Sequence, residues 1–182
     1  MHLNSAREKS RVRGFSLVEL VIVIVIIGII AAIAIPRVSR GSRGAGESAL
    51  TADLAILRNA IELYASEHNG DYPGAKAAGG TYGAAETADA FTNQLLMHSG
   101  VTGEVQDTRD ATHPFGPYLR KQIPPAPVGA NKGSNDVAID TANAPPLATG
   151  GTEGWVYNPL TGDIIVNSGD TAEDGTTTFD QF

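Results

Sequence analysis

Residues 15–35, FSLVELVIVIVIIGIIAAIAI, constrain this chain more than any other segment. From Leu20 to Ile35 no polar side chain interrupts the run. Its 21 residues make a helix of roughly 32 Å at about 1.5 Å per residue, which matches a bilayer hydrocarbon core of about 30 Å. The β-branched content also suits a buried strand, but strands usually end within about ten residues. In lipid a helix satisfies its own backbone donors and acceptors, and a lone strand does not. A membrane-spanning helix is therefore the expectation. A competing reading starts from Ala32-Ile33-Ala34, a small-x-small site for ordinary signal peptidase behind an apolar stretch from Leu20 to Ile30. On that reading the mature protein is soluble and begins at Ile35. Glu19, hard against the apolar stretch, argues against it.

Charge divides the chain into three zones. Residues 1–14 carry Arg7, Lys9, Arg11 and Arg13 against Glu8, and read as a basic cytoplasmic leader. Residues 15–43 add Arg37, Arg40 and Arg43 against Glu19. The remainder has six basic and eighteen acidic residues, which brings the whole chain to −7. An acidic body of this kind argues against nucleic acid as the primary partner. Cysteine is absent, which removes disulfide scaffolds, thiolate metal sites and cysteine nucleophiles.

Beyond the apolar run, Pro36 and the glycines at 41, 44 and 46 predict a kink or a locally melted stretch over 36–46. Proline costs about 3 kcal/mol inside a helix and each glycine up to about 1. Helix resumes near Ser48, with Leu50, Leu54, Leu57, Ile61 and Tyr64 spaced to share one face. Asn69-Gly70 is the expected stop. A second helix is expected over Ala85–His98, polar connection over 100–112, irregular chain over 115–119 and 123–128, and a short strand at Val137–Ile139. Trp155–Asn158 and Ile164–Asn167 flank Pro159-Leu160-Thr161-Gly162 and predict a hairpin. The last fourteen residues read as an exposed acidic tail.

Signals for catalysis are weak. His2, His68, His98 and His113 form no HExxH pattern, G-x-S-x-G does not occur, and Gly129–Gly133 lacks P-loop spacing. Asp170, Glu173 and Asp174 suggest a calcium loop, yet the EF-hand pattern fails: position three is Ala172, which has no side-chain oxygen, and position twelve is Gln181 where a bidentate carboxylate is needed. Trp155 and Tyr157 share one strand face and read as core rather than a sugar platform. No enzyme and no cofactor are expected. Arg37, Arg40 and Arg43 recur every third residue, and suit either lipid headgroups or acidic surfaces of other subunits.

The junction RGFSLVELVIVIVIIGIIAAIAIP resembles the amino terminus of type IV prepilins and type II secretion pseudopilins. Tyr64 with NGDYP (69–73), FTNQL (91–95), GPYLRKQIP (116–124) and GWVYNPLTGDI (154–164) more loosely resemble the body of the major pseudopilin. The resemblance implies an α+β pilin-like fold: a long N-terminal helix, half membrane span and half amphipathic, packed on a small antiparallel sheet. It divides the chain into a leader (1–14), a transmembrane and assembly helix (15–35), a kinked amphipathic continuation (36–69) and a periplasmic or extracellular body (70–182). Prepilin peptidase would cut between Gly14 and Phe15, Phe15 would be N-methylated, and Pro36 would mark the helix kink. Glu19 would be the assembly carboxylate of a helical homopolymer. The implied partners are an inner-membrane platform, an ATPase and other pseudopilins or minor pilins. Major pseudopilins often hold calcium near the carboxy end, but their ligands do not align onto this chain. The runner-up roles are a surface pilin and a membrane-anchored periplasmic binding module that never polymerises.

Glu19 has a physical problem that such assembly solves. A carboxylate within a membrane helix costs about 2.5–3.5 kcal/mol. Cleavage before Phe15 creates an amine at nearly the same depth, and the amine of one subunit can pair with Glu19 of the next. Alternatively, Glu19 lies near enough to the helix end to reach the headgroups.

Overall fold

The computed structural model describes residues 15–182, and over 35–42 the backbone alone. Helix α1 spans Leu17–Glu67. The chain divides after Gly41 into two units. In the first, the stretch Leu17–Ala34 is long and apolar enough to cross a membrane, and none of it is buried within the fold.

In the second unit, α1 turns Leu50, Leu54, Leu57, Ile61 and Tyr64 inward, the face expected from their spacing. The helix ends where Asn69 and Gly70 take positive φ, and the Gly70 N–H donates to Ala65 O at 2.9 Å. This left-handed cap satisfies a carbonyl that the last turn would otherwise leave unpaired. Of the kink or melted stretch expected over 36–46, the melted alternative is not found: the backbone is helical throughout. The side chain of Pro36, where the kink is expected, lies outside the described residues. Gly46 has a packing role instead, since a Cβ there would lie 3.0 Å from Val128 Cγ1. The absent side chain lets the 127–129 segment approach the helix closely.

Helix α2 is Ala88–Leu96, shorter than expected because Thr87 caps it, its Oγ1 accepting from the Ala90 N–H at 3.2 Å. His98 leaves the helix and opens strand β1 (His98–Ser99), antiparallel to β2 (Val105–Gln106). This hairpin replaces the simple polar connection that the sequence suggests. Three further strands form the second sheet: β3 (Val137–Ile139), β4 (Trp155–Tyr157) and β5 (Ile164–Val166). The expected β4–β5 hairpin is present, with Gly162 at φ +79° in its turn. The sheet is mixed rather than wholly antiparallel, because β3 runs parallel to β4. The connection between β3 and β4 is long enough for that crossover, which needs about a dozen residues or more.

Trp155 and Tyr157 join Leu50, Leu57, Phe91 and Ile123 in the main core, as expected for that strand face. The C-terminal segment is not the solvated tail that its composition suggests. Ala172 and Phe179 are buried, Phe179–Gln181 forms a 3₁₀ turn, and Arg58 donates to Phe182 O at 3.1 Å and to Ile164 O at 3.4 Å. Two apolar anchors and one arginine fork hold down a segment whose acidic residues remain at the surface.

His68 is also more than an incidental histidine. It is buried and stacks on Tyr64 at 3.7 Å between ring centroids. Its Nδ1 lies 2.7 Å from Tyr64 O and its Nε2 3.0 Å from Ser99 Oγ. A carbonyl can only accept, so Nδ1 carries the proton and Nε2 accepts from the Ser99 hydroxyl. Burial pushes the His68 pKa below the ordinary value of 6.5. The unfolded chain therefore takes up a proton that the folded chain refuses. Stability from this site is fully present above pH 6.5 and falls as pH drops below it, levelling once the lowered folded-state pKa is passed. Thermal melts between pH 7.5 and 5.0 should show this loss in the native chain and a flatter profile in His68→Gln. Equal slopes in the two proteins would assign the loss to other groups.

Candidate processing and assembly site

The first turn of α1 brings three sequence neighbours together. Phe15 precedes the helix and is 86% exposed, so its side chain and backbone are accessible. Ser16 occupies the N-cap position, and the first intrahelical bond runs from the Leu20 N–H to Ser16 O at 3.1 Å. Glu19 folds back over this turn, its Oε2 accepting from the Ser16 N–H at 3.4 Å. Serine followed three residues later by glutamate is the capping-box spacing, in which the glutamate satisfies a backbone donor that the helix cannot. An acidic group here also faces the positive end of the helix dipole.

Ser16 is a functional residue that the apolar pattern alone does not flag, although S-x-x-E before an apolar run is a readable helix-start signal. The geometry gives Glu19 a stabilising partner within its own chain, one residue from the Phe15 nitrogen. Cleavage before Phe15 would turn that nitrogen into an ammonium beside a carboxylate already aimed at the helix start. Glu19 thus serves as a helix cap while remaining at the exposed tip of the apolar segment, where a second chain can reach it. Gly14, the other half of the expected cleavage junction, lies outside the described residues.

Elsewhere the expected site candidates resolve into local structure. Asp174 accepts from the Thr177 hydroxyl and from the Thr176 and Thr177 N–H groups, which pull its pKa down to about 2. Those bonds close a turn within the C-terminal segment. Among the described residues no group of three or more His, Asp or Glu side chains is placed to hold a metal ion. His113 pairs with Asp110 at 3.0 Å on an exposed loop, and His98 opens β1. Of the three collar arginines, Arg37 and Arg40 have side chains outside the described residues, whereas Arg43 is exposed and borders a cleft.

No curated protein and no solved structure matches the chain. A family model does: the prokaryotic N-terminal methylation motif covers residues 9–35, and so spans Gly14, Phe15, Ser16 and Glu19 together. A motif of this kind indicates a structural subunit rather than an enzyme, one that a prepilin peptidase processes and that assembles with other pilins. An exposed apolar helix behind a capped, accessible start is consistent with an inner-membrane-anchored precursor, and the motif matched over residues 9–35 is one that marks type IV pilin-like proteins.

Proposed function

We propose that this chain is the structural subunit of a type II secretion pseudopilus. It is held in the inner membrane with its leader in the cytoplasm, cut between Gly14 and Phe15, N-methylated at Phe15, and polymerised into a helical filament. The observation that carries the polymer reading is the first unit itself. Its large apolar side chains, from Leu17 to Ile33, all face outward from the fold. Lipid covers them before assembly and neighbouring subunits cover them afterwards, each buried Val, Leu or Ile contributing about 1.5–3 kcal/mol. Leaving lipid for the filament needs work, which an ATPase acting through a platform protein supplies.

The secretion role rests on the body. The segments that resemble the major pseudopilin contribute Tyr64, Phe91, Leu95, Leu119, Trp155 and Tyr157 to one core, so these motifs act as a packed set rather than as scattered matches. A surface type IV pilin is the second reading, favoured by the same N-terminal motif.

Two measurements test the proposal. Intact mass and amino-terminal sequencing of the native envelope protein should give a methylated Phe15; a start at Met1 or Ile35 would overturn it. Disrupting the gene should block export of folded proteins and leave surface filaments unchanged. Lost surface filaments with normal export would establish the pilin instead.

A further inference from the structure

The second unit is strongly acidic, with seven Lys/Arg against eighteen Asp/Glu over residues 42–182. Two of its cations nevertheless border one cleft of about 430 Å³, where Arg43 on α1 faces the segment bearing Lys132. Pro127, Val128 and Phe179 give the cleft apolar lining. Asp170 also borders it and is engaged by the Ser168 hydroxyl at 3.1 Å. Arg43 and Lys132 are both exposed, and neither forms an ion pair among the described residues.

The complementary charge lies near the C-terminal end of the same helix, at the opposite end of the part of α1 that belongs to the second unit. The Glu104–Asp110 segment carries Glu104, Asp107 and Asp110 against Arg109. It is tied to the last turn of α1 through Ser99, which bonds His68 and pairs with Val105. From Arg43 to Tyr64 the helix rises about 32 Å at about 1.5 Å per residue. Asp107 through Asp110 are all exposed.

We infer that the Arg43–Lys132 cleft receives the acidic Glu104–Asp110 loop of a second copy of this chain, head to tail. A patch at one end that fits a different patch at the other end makes a heterologous contact. Such contacts repeat without closing unless the rotation happens to complete a ring, and so they generate helical filaments. The inference rests on the filament reading above and adds to it the surfaces by which folded bodies recognise each other. Charge sets their register, and the apolar lining excludes water once they meet.

The absence of cysteine makes the test clean. The full-length double variant Lys132→Cys/Asp107→Cys should be expressed in the native envelope, oxidised mildly and run on a non-reducing gel. Each chain then carries both halves of the contact, so the result expected is a reductant-sensitive ladder of dimers, trimers and higher species. Either single variant should give nothing above a dimer. In parallel, Arg43→Glu/Lys132→Glu should lower the yield of sheared filaments about tenfold, with Asp107→Lys/Asp110→Lys restoring it in the same chain, since opposed like charges disfavour wrong pairing.

Filaments that form normally from the double-cysteine variant without any ladder would overturn the inference and leave the filament reading intact. Normal filaments from Arg43→Glu/Lys132→Glu, with lost binding to vesicles rich in anionic phospholipid, would assign the cleft to lipid and also overturn it. A native chain that starts at Phe15 yet forms no filament would defeat the filament reading, and the inference with it.

Discussion

Glu19→Gln is expected to abolish filament formation while leaving the protein inserted and its first helical turn intact. Glutamine keeps the shape of glutamate and completes the same capping box, since its side-chain carbonyl can accept from the Ser16 N–H as Glu19 Oε2 does at 3.4 Å. What it lacks is charge. If Glu19 acts only as a cap, Glu19→Gln should behave like the native protein and Glu19→Ala should fray the helix start. If Glu19 pairs with the Phe15 ammonium of a neighbour, both variants should fail to assemble. Removing one partner of a buried charge pair costs about 2–5 kcal/mol. At about 1.4 kcal/mol per factor of ten, assembly affinity falls between roughly thirtyfold and several thousandfold. Yield of sheared filaments, normalised to membrane-inserted protein, is the quantity to measure. Normal yield from Glu19→Gln would reduce Glu19 to a capping residue.

The cap also explains how the precursor tolerates this carboxylate before any neighbour arrives. Satisfying a backbone donor offsets part of the desolvation that a lone carboxylate incurs near the membrane core. Assembly then exchanges one partner for another rather than creating an interaction from nothing. The N-terminal ammonium is the stronger partner because it brings a full opposite charge to the carboxylate, whereas the Ser16 N–H brings only a neutral dipole, and the difference grows in low dielectric.

Much of this architecture was legible in the residues because it rests on short-range periodicity. Leu50, Leu54, Leu57, Ile61 and Tyr64 repeat every three or four positions, and the helix buries that face. Asn69-Gly70 stops the helix by a local backbone preference, and the β4–β5 hairpin follows from a proline-to-glycine turn between apolar triplets. The features that were not legible depend on partners distant in sequence. Gly46 reads as a helix breaker by propensity, and only Val128, close to where its Cβ would lie, gives it a packing role. The C-terminal segment looked solvated because its charges outnumber its anchors, yet Phe179 and the Arg58 contacts hold it. Parallel pairing of β3 with β4 leaves no mark on three-residue strands. At the N-terminal junction, Glu19 is singled out by the resemblance of its surroundings and by the cost of a carboxylate in lipid, whereas Ser16 carries no such cost and a hydroxyl at a helix start is common.

The division of α1 into a buried and an outward face leads to the second large effect. Leu57→Ala should lower the stability of the folded body by about 2–5 kcal/mol, since the site is fully buried and the truncation leaves a cavity that its neighbours can only partly fill. Domains are typically stable by about 5–15 kcal/mol in all, so the loss is a large share. The melting temperature should fall by about 6–20 °C for a body of this size. Leu63→Ala removes the same atoms from the same helix, but Leu63 is 52% exposed, and surface changes usually stay within about 0.5 kcal/mol. The protein carries its own reporter for this comparison. Trp155 is its single tryptophan, is fully buried, and donates from Nε1 to Pro124 O at 2.7 Å. Its fluorescence should shift red on unfolding at a midpoint set by the core. In detergent-solubilised full-length protein, the Leu57→Ala midpoint should move well below native and that of Leu63→Ala should stay with it. Equal shifts would mean that the helix does not present to the body the face described above. Leu63 and the similarly exposed Ile56 lie on the side of α1 left uncovered by the body; if the proposed filament packs against that side, Leu63→Ala should be silent in the melt yet measurable in assembly.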